Sequence, residues 1–277
     1  MAPPMPYPSE PQTVTDTLNT VILGIVEGIT EFLPISSTGH LLIAERWLGE
    51  RSELFNVSIQ AGAILAIVLI YWRRLLNLLT RFDEAQNRDY LFKLVVAFLI
   101  TAAGGFVATR LGWKLPESVL PIALATLIGG ILILLIEHYV AGRPASSTVT
   151  WKVAVWVGAC QILAAVFPGT SRSASTIFAA MLAGLTLRPA ATEFAFLVGI
   201  PTMFAATGYE LLKARGEASG EDWNAVALGF VVSLIVAFIA VKWLLRYVQS
   251  HRFTVFAWYR IALGSALLTL VSLGQMR

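Results

Sequence analysis

One cysteine and three histidines in 277 residues leave little material for the commoner metal and redox chemistries. Cys160 has no partner for a disulfide and cannot build a cysteine-based zinc site, so a buried structural thiol is its expected role. Charge is also scarce. Asp, Glu, Lys and Arg make up 13% of the chain, and the net charge of +3 is not gathered into the basic patch that nucleic acid requires. No nucleic-acid partner is expected. The opening stretch MAPPMPYPSEPQ has neither a basic region nor an apolar core, so it reads as a flexible tail (residues 1–15) and not as a signal peptide.

Apolar side chains are abundant instead, at 57% of the chain. A soluble domain carries about 45–50% apolar and about 25% charged residues, so this composition predicts an all-α polytopic membrane protein. Long apolar runs near Leu54–Trp72, Tyr90–Thr109 and Val119–Tyr139, then near Ala191–Leu212, Trp223–Leu245 and Phe253–Leu273, each suit a full span. Two other apolar stretches, Leu18–Leu48 and Val153–Leu185, are interrupted near their middles by Pro34 and Pro168. Spanning helices need about 20 mainly apolar residues, so shorter broken pieces predict re-entrant helical hairpins. A charged loop is expected from Arg73 to Asp89, and a short one from Arg110 to Glu117.

The second half repeats the plan of the first. Displaced by 134 positions, Gly24 meets Gly158, Glu27 meets Gln161, Pro34 meets Pro168 and Ser37 meets Ser171, with Thr38 opposite Arg172. A hairpin returns to its own side and three spans carry the chain across. The second repeat therefore starts from the opposite face, which is an inverted-topology repeat with its site near the midplane. The expected organisation is a single membrane domain over 16–277, with repeat one at about 16–140 and repeat two at about 151–275. Basic residues are more numerous in the loops of one face (Arg73, Arg74, Arg81, Arg88, Lys93, Arg143, Lys152, Arg188, Lys242, Arg246, Arg252) than of the other (Arg46, Arg51, Arg110, Lys114, Lys213, Arg215, Arg277), which places both termini outside. Trp72, Trp113, Trp151, Trp223, Trp243 and Trp258 fall near span ends, as interface anchors do.

Polar residues concentrate at the two tips. Glu27 and Glu31 are spaced to lie on one helix face, and Pro34 should end that helix. Ser36, Ser37 and Thr38 suit the start of a new helix, whose free N–H groups and dipole attract anions. The second tip, PGTSRSAST, supplies Arg172, whose guanidinium matches phosphate oxygens bidentately, with Ser171, Ser173 and Thr176 as further donors. A carboxylate pair beside an anion site calls for a divalent cation, Mg²⁺ or Ca²⁺, on Glu27 and Glu31. Ser37 is the candidate nucleophile with a glutamate as base, and attack by a cation-activated water is the rival. His40, three residues on, shares a helix face with Ser37 and could act as general acid or base. For Gln60, Gln161 and Glu193, helix contacts or capping are expected, and for Arg260 structural pairing or snorkelling.

Taken together, Glu27-x-x-x-Glu31, the following PISSTGH and the later PGTSRSAST resemble the undecaprenyl-diphosphate phosphatases, the membrane enzymes linked to bacitracin resistance. The hydropathy plan is similar over nearly all the chain beyond the tail, and Ala174 stands where that pattern leads one to expect glycine. The resemblance implies hydrolysis of undecaprenyl diphosphate to the monophosphate with a divalent cation, recycling the lipid carrier of cell-wall synthesis. It implies a site in the bacterial inner membrane that opens to the periplasm, with Glu27, Glu31, Ser37, His40, Ser171, Arg172 and Thr176 tied to activity. The expected partners are the polyprenyl diphosphate and membrane lipids, with self-association as a homodimer left open. The other lipid-phosphatase pattern, KxxxxxxRP with a histidine nucleophile, is not matched. Inverted repeats with broken helices also build secondary transporters, so a transporter or flippase for a polyprenyl phosphate or another phosphorylated solute is the alternative. Ser37 and His40 beside the glutamates favour the enzyme, because binding alone needs no nucleophile.

Overall fold

The computed structural model describes residues 14–111, 118–213 and 220–275. Trp113, Lys114, Arg215, Arg277 and the tail up to residue 13 lie outside the described residues. Among the described residues ten helices follow one another: α1 (Val14–Thr30), α2 (Ser37–Leu48), α3 (Glu53–Thr80), α4 (Ala85–Arg110), α5 (Val119–Ala141), α6 (Trp151–Val166), α7 (Arg172–Leu182), α8 (Arg188–Lys213), α9 (Trp223–Ser250) and α10 (Thr254–Ser272). Two short helices and three long ones thus occur twice in succession. The six long helices are apolar enough to cross a membrane, and the described residues contain no strand. The chain is a polytopic all-α membrane protein.

The long helices overrun the apolar runs that mark them. Helix α3 has 28 residues, about 42 Å at 1.5 Å per residue, against a hydrocarbon core of about 30 Å. Arg73 and Arg74 therefore belong to α3, and Arg88 and Asp89 to α4, where a loop was expected. The charges do not break the helix because they leave the apolar zone or find partners: Arg74 pairs with Glu193 at 3.2 Å and lies over the ring of Tyr90. Glu193 therefore joins α8 to α3.

Lipid tails are as apolar as leucine, so burial alone does not drive these helices together; close packing of small residues does. Gly24 and Gly28 of α1 face Gly229 and Ser233 of α9, so closely that a Cβ on Gly28 would lie 2.8 Å from the Ser233 carbonyl. Gly158 of α6 meets α4 the same way, with the Ala97 carbonyl 2.6 Å from where its Cβ would be. Helices α5 and α10 pack on each other with exchanged contacts: Gly130 abuts Ile261, and Gly264 abuts Leu127. Each member of one contact lies 134 positions from a member of the other.

Hydrogen bonds place the ends of the bundle. Asn19 Nδ2 donates to the Leu48 carbonyl at 2.9 Å, Arg51 reaches the Asp16 carbonyl, and Ser52 donates to Glu221. The start of α1, the end of α2 and the starts of α3 and α9 therefore share one end. At the other end Lys93 donates to the Val149 carbonyl, just ahead of α6, and Leu187 N donates to the Ser146 carbonyl, just beyond α7. Here Glu137, 1% exposed, accepts from Arg188 Nε and Nη2 at 2.9 and 2.5 Å and from Phe253 N at 2.9 Å. One buried carboxylate so ties α5, α8 and the start of α10. The two broken pairs, α1–α2 and α6–α7, accordingly approach the middle from opposite ends.

Candidate active site

Each broken pair turns on a proline and a strained serine. The ring of Pro34 is incompatible with a helical carbonyl at Thr30, and α1 stops there. Glu31 consequently falls in the turn just beyond the helix instead of on it, yet its N–H still donates to the Glu27 carbonyl at 3.0 Å, which keeps the carboxylates on one side. Ser36 then takes φ 76° and α2 begins at Ser37. In the second pair α6 ends at Val166, Pro168 and Gly169 turn the chain, Ser171 takes φ 67° and α7 begins at Arg172. These serines are the two non-glycine residues of positive φ among those described. Such backbone costs about 1–3 kcal/mol per residue and persists where the surroundings enforce it.

The two tips are not in the register of their prolines. Ser36 and Ser171 are 135 positions apart, with Thr170 the additional residue. The structural counterpart of Ser37 is therefore Arg172, each opening its helix, and not Ser171 as the proline alignment suggests.

Around this turn the expected residues divide. Ser37 Oγ donates to Glu31 Oε2 at 2.5 Å, and Arg172 Nη2 lies 3.3 Å from Glu31 Oε1. One carboxylate from the first tip thus holds a hydroxyl from its own side and a guanidinium from the other. Glu31, Ser36, Ser37, Thr38, Ser171 and Arg172 line a cavity of about 40 Å³. Ser37 and Thr38 also line a groove of about 850 Å³ that Glu27, Gln60 and the apolar side chains of Leu41, Leu42 and Val57 share. Its rim carries Glu45, Arg46, Glu50, Arg51 and Glu53, at the end where α1 begins.

Other expected residues face elsewhere. Ser173 Oγ donates to the Leu33 carbonyl at 2.9 Å, stitching the second tip to the first, and lies 3.1 Å from Ser171 Oγ. Thr176 Oγ1 donates to the Arg172 carbonyl at 2.8 Å within its own helix, so it braces the first turn of α7. His40 has both ring nitrogens engaged, Nδ1 with the Ser36 carbonyl and Nε2 with Tyr259 Oη, each at 2.6 Å. It lines neither cavity and buttresses the positive-φ turn. Tyr259 carried no signal in the sequence, because a tyrosine in an apolar span looks like any interface aromatic.

Glu27 is 1% exposed, and its Oε2 has no hydrogen-bond partner. A lone buried carboxylate oxygen beside a second carboxylate is the donor chemistry of a hard divalent cation, so the pair fits one. The described residues hold no cluster of three or more acidic, histidine or cysteine ligands, so the remaining oxygens around such an ion would come from hydroxyls, water or a phosphate.

Residues 20–266 match the family model described as bacitracin resistance protein BacA. An undecaprenyl-diphosphatase of Rhizobium etli is 62% identical over 263 residues, covering 94% of this chain and 99% of its own length. One of Rhizobium leguminosarum bv. trifolii is 60% identical over 262 residues, covering 94% and 98%. One of Xanthomonas euvesicatoria pv. vesicatoria is 57% identical over 257 residues, covering 92% and 97%.

Proposed function

The chain belongs to the bacitracin resistance protein BacA family, and from that premise we infer that it hydrolyses undecaprenyl diphosphate to undecaprenyl phosphate and inorganic phosphate. The observation that carries this reading is the Ser37–Glu31–Arg172 constellation built from two separate tips. It is complete within one chain, so a homodimer is not needed to assemble it. The transport alternative gains nothing from the relatives, whose names describe diphosphatases.

Phosphoryl transfer asks for charge neutralisation, an in-line nucleophile and a proton for the leaving oxygen. Arg172 and the N-terminal N–H groups of α2 neutralise the diphosphate; Ser36 makes no capping bond to those N–H groups, which leaves them for a ligand. Ser37 is the nucleophile of this reading and Glu31 the base that takes its proton, since the two are already joined by a hydrogen bond. As Ser37 Oγ bonds to the terminal phosphorus the bridging P–O bond breaks, and Glu31 returns the proton to the departing undecaprenyl phosphate. Water then hydrolyses the phosphoserine to free phosphate and Ser37. Glu27 and Glu31 would hold a Mg²⁺ or Ca²⁺ ion, which when bound supplies further positive charge to the diphosphate oxygens. Ser171, Ser173 and Thr176 shape the guanidinium side, and His40 holds the turn that presents Ser37. The apolar groove receives the start of the isoprenoid chain.

The opposed approach of the two hairpins and the exchanged contacts of α5 and α10 support an inverted repeat. With the loop charges setting orientation, the groove mouth at Arg46 and Arg51 faces the periplasm of a bacterial inner membrane. Product release there returns the lipid carrier to cell-wall synthesis.

Purified protein supplied with a polyprenyl diphosphate should release one phosphate per lipid, stop on chelation, and recover with Mg²⁺ or Ca²⁺. Absence of phosphate release would contradict the hydrolase. Release that chelation leaves unchanged would remove the cation from the account.

A further inference from the structure

Arg260 is fully buried in α10, and no carboxylate among the described residues pairs with it. Its donors go to four backbone carbonyls instead. Nε donates to Thr126 at 3.2 Å and Nη2 to Ala125 at 3.0 Å, both on α5. Nη1 donates to Pro34 at 3.4 Å, and Nη2 also reaches Gly169 at 3.0 Å. Pro34 and Gly169 are the residues two before Ser36 and Ser171, so one guanidinium holds a carbonyl at the same distance ahead of each strained serine. Helix α5 is cut away to admit it: a Cβ on Gly129 would lie 2.2 Å from Nη2. The second tip is pressed on α5 as well, since a Cβ on Gly169 would lie 2.6 Å from the Ile122 carbonyl.

We propose that Arg260 is a positioning residue that clasps the two tips together through the Pro34 and Gly169 carbonyls and so fixes Arg172 against Glu31. The proposal rests on the phosphatase reading for its kinetic consequence, though not for its geometry. It requires arginine. A planar fork reaches carbonyls on two sides of its plane edge at once, whereas a lysine ammonium places all its donors on one atom. Arg260 touches neither cavity, so it acts through the backbone of the tips. Without the clasp the tips are still tied by the Ser173 Oγ–Leu33 carbonyl bond and the Arg172–Glu31 pair, so they loosen and move apart without coming undone. Each hairpin keeps its own turn, because Ser171 still caps Ala174 N and His40 still holds the Ser36 carbonyl.

The test joins a distance to a rate. In a Cys160→Ser background, spin labels on cysteines at Thr38 and Thr170 report tip separation by dipolar broadening, whether or not the labelled protein turns over. Arg260→Lys, Arg260→Met and Gly129→Ala, the last crowding the guanidinium without removing its charge, should each reduce the broadening. Without labels, the same substitutions should lower kcat on the order of 100-fold for arginine changes, with a smaller rise in KM. A role limited to holding α10 on α5 would lower the unfolding temperature and leave the label separation of the folded fraction unchanged; that result overturns the clasp. So does loss of turnover with unchanged broadening in Arg260→Lys. If Arg260→Met does not fold, Arg260→Lys and Gly129→Ala decide. If the unsubstituted protein releases no phosphate, the phosphatase reading fails while the broadening still settles the clasp.

Discussion

Glu27 and Gln161 occupy matching places in the two hairpins, 134 positions apart, each 1% exposed and each with one side-chain polar atom lacking a partner. Their surroundings part company there. Glu27 faces Glu31 and the guanidinium side of the site, whereas Gln161 Oε1 accepts from the neutral hydroxyls of Thr101 at 2.9 Å and Thr202 at 3.3 Å. Helix, proline, strained serine and returning helix are common to both hairpins. The first carries acid and leaves its returning helix without a side-chain cap; the second carries Arg172 and caps itself through Ser171. A repeated backbone thus aims two helix starts at one point, and the chemistry comes from making the side chains unlike. Charge of one sign on both tips would give a site with either no hold on phosphate or no base.

That contrast can be broken by removing either side of it. Glu31→Gln carries the largest expected effect, because it takes away the partner of both Ser37 and Arg172. Turnover should fall by about 10³-fold with the protein still folded, as read from kcat and from size-exclusion behaviour. Arg172→Lys should cost about 10²-fold, nearly as much as Arg172→Ala, since a point charge cannot reproduce the fork. A lysine variant of near-normal rate would reduce Arg172 to a general field. Gln161→Glu sharpens the contrast from the other side by giving the second hairpin the residue of the first. With only threonine hydroxyls near, the carboxylate should cost about 2–3 kcal/mol of stability in an unfolding titration, and turnover should change far less than in Glu31→Gln.

Much of this was legible in the sequence. Pro34 and Pro168 marked the tips, and the spacing of Glu27 and Glu31 marked the acidic side, because a helix's period and a proline's missing donor act locally. The six spans were legible for the same reason, though not their ends: Arg74 continues α3 because Glu193 and Tyr90, remote in sequence, receive it. The register of Ser37 against Arg172 was hidden by the single additional residue Thr170. The partners of Arg260 and His40 were hidden for a common reason. They are backbone carbonyls and a distant tyrosine, and carbonyls look alike at every position of a sequence. Gly129 and Gly130 opposite Arg260 were the signal that was there to find.

The central claim is that the two hairpins make one site, joined at Glu31 and Arg172. The most direct measurement is a double-mutant cycle on kcat/KM with Glu31→Gln, Arg172→Ala and the combined variant. The account predicts strong coupling, the combined variant being no slower than the slower single one, since each substitution already leaves the other residue without its partner. Effects that multiply would mean that Glu31 and Arg172 act independently, and would contradict the account.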